Sequence, residues 1–223
     1  MRKPPNGARR IAVFDVCGTL YDANTSRAFV DWLKLGDGAP EGGLARSRIA
    51  SWPNALVYRL TGVDLFRRRY TRGLKGWRQD TIDSRANEFV KTFLSHKVRP
   101  EVRALLEGFR NEGIEIVLMS ASYDVLIRHV AEYFGASAYH ASSLEVANGV
   151  LTGRFESDLL GVKHHLLETA FDNVVELTVV TDNKSDLALL RKADKAYIVC
   201  SSDRAEAFWR EVNLNNKVII RPG

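Results

Sequence analysis

The sequence contains only two cysteines, Cys17 and Cys200, among its 223 residues. Two thiols cannot form the disulfide framework of a small secreted domain, and reduced cysteines are typical of a reducing compartment. The apolar runs are shorter than the roughly 18 residues that a membrane-spanning helix needs. The N-terminus is basic but is not followed by the apolar core of a signal peptide. We therefore expect a cytoplasmic protein without stable membrane insertion.

The composition says little about partners. The length suits one domain with a sizeable insert, or two small domains. A net charge of +5 mildly favours an anionic ligand, although a solvated basic surface would give the same excess. We see no groove-reading module and no interleaving of aromatic and basic residues, so we do not expect nucleic-acid binding. The sequence does not indicate the oligomeric state.

Short apolar runs alternate with helical patterns over most of the chain. Runs at 11–14, 114–119 and 176–181 predict buried strands. Two further strands are predicted at 196–200 and 218–220, and helices at 100–110, 123–134, 162–171, 184–192 and 204–212. Strands that alternate with helices predict βαβ units, and hence a parallel sheet with helices on both faces.

Residues from about 24 to 93 interrupt this alternation. They predict amphipathic helices at 44–60, 63–74 and 82–94, and a loop at 36–43. We therefore assign residues 1–22 and 96–223 to an α/β core, and residues 23–95 to a helical insert after the first strand.

Polar residues end three of the predicted strands. Asp15, Ser120 and Asp182 follow the runs directly, and ligands of parallel sheets bind beyond the carboxyl ends of the strands. Each of these residues could simply cap a helix or a turn. Three at one sheet edge, together with Asp186 and Lys163, are better explained by a site. If a helical turn follows Asp182, the D-x-x-x-D spacing directs Asp182 and Asp186 to one side.

Four segments, read together, resemble the motifs of a known superfamily. They are I-A-V-F-D-V-C-G-T-L at 11–20, V-L-M-S-A-S at 117–122, G-V-K ending at Lys163, and V-V-T-D-N-K-S-D-L-A-L-L at 179–190. Their order and setting resemble the haloacid dehalogenase (HAD) superfamily, whose commonest members are Mg²⁺-dependent phosphatases. A-N-G-V-L-T-G-R-F at 147–155 resembles the hairpin of its subfamily IB, which contains phosphoserine phosphatases. The resemblance implies a Rossmann-like core, with the helical insert as a cap over the active site.

The resemblance also implies a nucleophile and a metal site. Asp15 would be the nucleophile, would form an aspartyl-phosphate and would ligate Mg²⁺. Asp182 would be a direct ligand of the metal and Asp186 a direct or water-mediated one, and the backbone carbonyl of Cys17 would add a further oxygen. Hard Mg²⁺ prefers such oxygen ligands.

Phosphate binding is implied for a second set of residues. Ser120 and the amides of Ala121 and Ser122 would bind phosphate oxygens near a helix N-terminus, although Ser122 could equally be only an N-cap. Lys163 would pair with Asp15 and with the phosphate. Gly18 and Thr19 match the G-T that follows the nucleophile strand in the family.

Cys17 is the main departure from the family, whose phosphatases carry a general acid/base aspartate at this position. A thiol with a reference pKa near 8.5 is a poor proton donor to a leaving alkoxide, and losing acid/base help typically costs about 10²–10⁴-fold in rate. We therefore expect a phosphatase of a small phosphorylated metabolite that either is slow on ordinary esters or uses a substrate with a good leaving group or with its own proton. The alternative is a catalytically weakened protein that binds Mg²⁺ and a phosphorylated ligand for a regulatory role.

Two further departures concern the substrate and the third motif. Asn24 stands where phosphoserine phosphatases carry a glutamate that holds the substrate's amino group, which argues against phosphoserine. Thr181 replaces a glycine before the motif aspartate, and we expect it to be tolerated. The insert contains many arginines, of which some could bind a second anionic group of a substrate and most would be solvated.

Overall fold

The computed structural model describes residues 8–34 and 64–223, and their main feature is a six-stranded parallel sheet. The strands in these residues are β1 (Arg9–Phe14), β2 (Glu115–Tyr123), β3 (Ala138–Ser142), β4 (Leu144–Ala147), β5 (Val150–Phe155), β6 (Val174–Thr181), β7 (Lys195–Val199) and β8 (Lys217–Ile220). The order in the sheet is β3-β2-β1-β6-β7-β8, and each neighbouring pair is parallel. β4 and β5 form a separate antiparallel pair. The prediction of a Rossmann-like α/β core is confirmed.

Helices connect the strands. They are α1 (Thr25–Leu33), α2 (Leu65–Arg72), α3 (Gln79–Thr92), α4 (Pro100–Asn111), α5 (Asp124–Phe134), α6 (Lys163–Ala170), α7 (Leu187–Leu190) and α8 (Asp203–Glu211). Local chemistry sets several of their starts: the side chains of Asn24, Asp64 and Ser202 each accept a backbone N–H from the first turn, which satisfies donors that the helix cannot. Within the described residues, no helix has the length and apolar character needed to cross a bilayer.

The central strand β1 is buried on both faces. Ala12 and Phe14 belong to one hydrophobic cluster, and Ile11 and Val13 belong to a second. Successive side chains of a strand point to opposite faces, so an uninterrupted apolar run is what a strand between two helical layers requires. Full burial of each large side chain contributes about 1.5–3 kcal/mol, so β1 anchors both layers.

The described helices of the insert pack into the first of these clusters. The rings of Phe29 in α1 and Phe89 in α3 lie 5.3 Å apart, and both share the cluster with Leu106 of α4 and Leu126 of α5. These insert helices are therefore held by apolar contacts that are continuous with those of the core helices.

The insert contains helices at two of its predicted positions. The segment predicted at 63–74 forms α2, and the one predicted at 82–94 forms α3 and a 3₁₀ turn at Leu94–Lys97. The predicted helix at 44–60 and loop at 36–43 lie outside the described residues. The division into a core of residues 1–22 and 96–223 and a cap of residues 23–95 stays a prediction.

Three details differ from the predicted elements. β2 continues to Tyr123 instead of ending at residue 119, because its end still pairs with β3. β3 was not predicted, since A-Y-H-A-S contains no apolar run and is only partly buried. The helix predicted at 184–192 is a 3₁₀ turn, Lys184–Asp186, followed by the four-residue α7.

Candidate active site

Three adjacent strands bring the predicted site residues to one edge of the sheet. β1 lies between β2 and β6. Asp15 follows β1 directly and its backbone N–H donates to the carbonyl of Val180 in β6 at 2.9 Å. Asp182 follows the end of β6, while Ser120 lies inside β2 rather than after it. The sheet thus collects these side chains at its carboxyl edge, as parallel strand order requires.

Lys163, the first residue of α6, lies between two of the acids. Its Nζ donates to Oδ1 of Asp15 at 2.8 Å and to Oδ2 of Asp186 at 2.9 Å. All three side chains are buried, with at most 4% of their surface exposed. Thr181 Oγ1 donates a further bond of 2.8 Å to Oδ2 of Asp186. The predicted pairing of Lys163 with Asp15 is therefore present, and Asp186 is a second partner.

The charges of this cluster do not balance. Burial raises the pKa of Asp15 to about 7, against the lowering effect of Lys163 and with support from the nearby charges of Asp186 and Asp182. Burial also raises the pKa of Asp182. Burial alone would lower the pKa of Lys163, but the charges and hydrogen bonds of Asp15 and Asp186 outweigh it and raise the pKa above its ordinary value. Three carboxyl groups around one ammonium leave negative charge that a further cation would neutralise.

Gly18 and Thr19 fix the position of Asp182. Thr19 Oγ1 donates to Oδ1 of Asp182 at 2.9 Å and accepts its backbone N–H at 2.9 Å. Gly18 has φ +74°, and a Cβ placed on it would lie 2.3 Å from Oδ2 of Asp182. The carboxylate therefore occupies space that only a glycine leaves, in a backbone conformation that glycine adopts without strain.

The oxygens of the cluster suit a hard divalent cation. Asp186 Oδ1 is buried and has no hydrogen-bond partner among residues 8–34 and 64–223, and a buried orphan acceptor is costly unless something binds it. However, in the described ranges no three His, Cys, Asp or Glu side chains form a ready-made metal cage. A metal held here would rely on backbone oxygens and water for much of its coordination, which is the usual habit of Mg²⁺.

Cys17 belongs to a row of hydroxyl groups beside Asp15. Its Sγ lies 2.6 Å from Thr25 Oγ1, which donates to Ser122 Oγ at 3.1 Å. Ser26 Oγ lies 2.8 Å from the same Ser122 oxygen. Burial raises the pKa of the Cys17 thiol, with a smaller contribution from the negative charge of Asp15. Cys17 is thus a thiol, not a thiolate, near neutral pH.

The predicted phosphate-binding segment lies near a helix N-terminus, as we expected. Ser120, Ala121 and Ser122 are in the last part of β2, directly before Tyr123, which is the N-cap of α5. The alternative role of Ser122 as an N-cap is therefore wrong. Its backbone N–H instead donates to Ser120 Oγ at 3.1 Å. With this bond accepted, the hydrogen of the Ser120 hydroxyl is available for another oxygen.

A cavity of about 220 Å³ opens onto these groups. From the core it is lined by Asp15, Cys17, Ser120 and Lys163, among others, and α1 and α2 contribute Arg27, Phe66, Arg67 and Tyr70. A larger cavity of about 470 Å³ lies between α3 and α5 and contains none of the predicted site residues. We regard the smaller cavity as the candidate active site, because it contains the reactive groups.

The structure adds residues that the sequence did not single out. Arg99 is 8% exposed, and its guanidinium donates to the carbonyl of Gly18 at 3.2 Å and to Asp22 at 2.6 Å. It therefore holds the loop that follows β1. Thr25 belongs to the site because its hydroxyl forms a hydrogen bond with the Cys17 thiol. Neither residue lies in a recognisable motif, so only the fold could reveal them.

The family follows from a comparison with known proteins. A model of the haloacid dehalogenase-like hydrolases matches residues 12–191. The chain therefore belongs to the haloacid dehalogenase-like hydrolase family, which confirms the resemblance of its four motifs.

Individual relatives have low sequence identity to this chain. Protein CicA of Caulobacter vibrioides strain NA1000 / CB15N is 25% identical over 189 residues, which cover 83% of each chain. A Bordetella pertussis Tohama I protein of unknown function has a similar structure, with a TM-score of 0.73, 18% identity and coverage of 96% of this chain and 98% of that one. A phosphoserine phosphatase, solved as a phospho-aspartyl intermediate analogue, gives a TM-score of 0.61, 15% identity and 90% coverage of each chain. These structures share the fold.

Proposed function

We propose that the protein is a Mg²⁺-dependent phosphomonoester hydrolase that acts on a small phosphorylated metabolite through an aspartyl-phosphate on Asp15. The observation that carries this proposal is the buried Lys163, which bonds Asp15 at 2.8 Å and Asp186 at 2.9 Å at the carboxyl edge of the sheet. Burying an ammonium and two carboxylates costs stability, and clusters of this kind are typical of functional sites. The structural similarity to a phosphoserine phosphatase supports the same reaction class.

The chain's own residues account for the first half of the reaction. The Asp15 carboxylate attacks phosphorus, the P–O ester bond breaks, and the leaving alkoxide takes a proton from the Cys17 thiol or from water. Lys163 and the Ser120 hydroxyl face the non-bridging oxygens, where charge must be stabilised. Asp15, Asp182, Asp186 and the Cys17 carbonyl would hold Mg²⁺. The ion would supply positive charge for the phosphoryl oxygens and favour the ionised form of Asp15.

The second half of the reaction hydrolyses the acyl phosphate. Water attacks phosphorus, the bond to Asp15 breaks, and inorganic phosphate leaves with the carboxylate restored. In both halves a proton must move, and the residue best placed for this is Cys17. Because the pKa of its thiol is raised, we expect efficient turnover only of esters whose leaving group needs no protonation.

The side chain of Asn24 argues against phosphoserine as the substrate. Its Oδ1 accepts the backbone N–H of Arg27 at 3.0 Å and so caps α1. A neutral amide committed to capping is a poor site for an ammonium group, which prefers a carboxylate.

The test is hydrolysis of para-nitrophenyl phosphate by the full chain. Wild type should turn over with Mg²⁺ and stop with EDTA, and Asp15→Asn should abolish turnover. Asp31→Asn, which changes an exposed acid of α1, is the matched control and should retain the wild-type rate. Equal rates for wild type and Asp15→Asn would refute the proposal.

A regulatory binding protein is the second candidate function, and the Cys17 site favours it. Such a protein would keep the Mg²⁺ and phosphate sites without proton transfer, and it would be stabilised by phosphorylated ligands that it does not consume. Trapping an aspartyl-phosphate, together with multiple turnovers of any phosphate ester, would exclude this candidate.

A further inference from the structure

One arginine of the insert reaches across to the candidate phosphate site. Arg67, in α2, has a side chain that is 11% exposed. Its guanidinium carbon lies 4.2 Å from the centroid of the Phe155 ring. One end of the guanidinium donates to the backbone carbonyl of Ala121, and the other pairs with Asp158. Its neighbour Arg68 is exposed.

The carbonyl that Arg67 binds belongs to the phosphate-binding segment. Ser142 Oγ donates to the same oxygen at 2.9 Å, and Arg67 also donates to Ser142 Oγ at 3.0 Å. Two donors therefore fix the direction of the Ala121 carbonyl. A peptide unit is planar and trans, so the carbonyl of Ala121 and the N–H of Ser122 point in opposite directions. Fixing the carbonyl thus fixes the N–H.

That N–H holds the hydroxyl of Ser120. It donates to Ser120 Oγ at 3.1 Å, and Ser120 is fully buried. An oxygen that accepts a bond from one side presents its own hydrogen elsewhere. The direction in which Ser120 donates therefore depends on the Ala121–Ser122 peptide, and that peptide depends on Arg67 and Ser142.

The second end of the guanidinium acts on the segment that leads to Lys163. Asp158 accepts from Arg67, and its Oδ1 also accepts the backbone N–H of Leu160 at 2.9 Å. Leu159 N donates to Ser142 Oγ at 3.0 Å. One polar cluster at the edge of the phosphate site is therefore formed by Arg67, Ser142 and Asp158. It connects α2 to the Ala121 carbonyl on one side and to the segment before Lys163 on the other.

We propose that Arg67 is a positioning residue for phosphate binding, which acts through the Ala121–Ser122 peptide and Asp158 and not by contact with the substrate. The inference rests on the proposed phosphate site and assigns a role in that site to the insert. A planar guanidinium can serve the carbonyl and the carboxylate at once, whereas an ammonium is a point donor. Lysine should therefore replace Arg67 poorly.

The experiment compares Arg67→Met and Arg67→Lys with Arg68→Met, a matched change at the adjacent exposed position. For para-nitrophenyl phosphate, Arg67→Met should lower kcat/KM by about 10- to 100-fold, a usual effect of misplaced site groups. The inhibition constant of inorganic phosphate should rise in parallel. Arg68→Met should change both by less than about twofold, as surface substitutions usually do.

Two results would overturn the positioning role. If Arg67→Met lowers only the melting temperature and leaves phosphate inhibition unchanged, Arg67 is merely structural. If the loss is confined to substrates with a second anionic group, Arg67 binds the substrate directly. Ser142→Ala supplies a further check, because two changes that act through one carbonyl should combine non-additively with each other.

Calorimetric binding of inorganic phosphate separates this inference from the hydrolase proposal. If wild type hydrolyses no ester, the hydrolase proposal fails, yet weaker phosphate binding in Arg67→Met than in Arg68→Met would still support the positioning role. Equal binding by the two variants, or no phosphate binding by wild type, would refute it.

Discussion

The hydroxyl of Thr181 donates a 2.8 Å hydrogen bond to Oδ2 of Asp186, the same oxygen that accepts from Lys163. Thr181 is fully buried, and its oxygen also accepts the backbone N–H of Asn183 at 3.0 Å. A residue that we expected only to be tolerated in place of glycine therefore joins the end of β6 to the acidic cluster.

Replacing Thr181 with valine should destabilise the protein. The change keeps the shape of the side chain but removes one of the two donors to Asp186 Oδ2, which keeps Lys163, and removes the acceptor of the Asn183 N–H. An unsatisfied buried group costs about 1–3 kcal/mol. Urea unfolding would measure the loss. Thr181→Ser, which keeps the hydroxyl, should recover most of the stability. Similar unfolding free energies for valine and wild type would contradict the role given to this hydroxyl.

Gly18→Ala should damage the site more than its backbone strain explains. The new Cβ would lie 2.3 Å from Asp182 Oδ2, so the carboxylate must move. Gly76 offers a matched control, because it also has a positive φ, +88°, but a Cβ on this residue would have no atom of the described part of the chain within 4 Å. Each alanine carries the conformational penalty of a left-handed backbone, of about 1–2 kcal/mol.

Only Gly18→Ala should also reduce Mg²⁺-dependent turnover and Mg²⁺ affinity. Both variants can be compared by thermal melts with and without Mg²⁺ and by hydrolysis of para-nitrophenyl phosphate. Equal activity of the two variants would show that the position of Asp182 is unimportant.

Arg99→Met should loosen the loop after Asp15, the proposed nucleophile. The guanidinium is the donor to the Gly18 carbonyl and pairs with Asp22, and hydrogen bonds to charged groups contribute about 1.5–3 kcal/mol. Arg103, whose exposed side chain pairs with Glu107 at 2.8 Å, is the control, and Arg103→Met should cost much less stability, because solvent screens an exposed ion pair. Chemical denaturation of both variants tests this, and equal losses would remove the special role of Arg99.

Cys17→Asp should raise the rate on substrates with poor leaving groups. A carboxyl group at this position restores the general acid that related phosphatases use, and such help is typically about 10²–10⁴-fold. Activated aryl esters should gain less, since their leaving groups need no proton. Cys17→Ser removes the thiol without adding a carboxyl and is the control. An unchanged rate with alkyl phosphates in Cys17→Asp would mean that our account of Cys17 is wrong.

The sequence predicted the sheet well because buried parallel strands have a strong local signal. The runs that became β1 and β6 are followed directly by charged residues, and the carboxyl end of each strand lies where the sequence predicted it. β3 has no such signal, because as an edge strand it is only partly buried. The end of β2 depends on pairing with that unpredicted strand. The error in the predicted end of β2 therefore follows from the failure to predict β3.

The contacts within the site could be predicted only in part. Asp15 and Lys163 are identifiable because the segments around them resemble motifs of the family. Arg67 could not be chosen from the insert's many arginines, since the choice depends on how α2 packs on the core. The proximity of Asp182 and Asp186 was expected from one helical face, but a 3₁₀ turn, Lys184–Asp186, joins them instead.

Lys163 and Asp15 meet although 148 positions separate them in the sequence. During synthesis, the first half of the chain would leave the ribosome with an aspartate at the end of β1 and no counter-charge for it. Contacts between such distant residues form slowly, since a long loop must close first. A fragment that ends before residue 163 would therefore contain Asp15 without the ammonium group that bonds it in the folded chain.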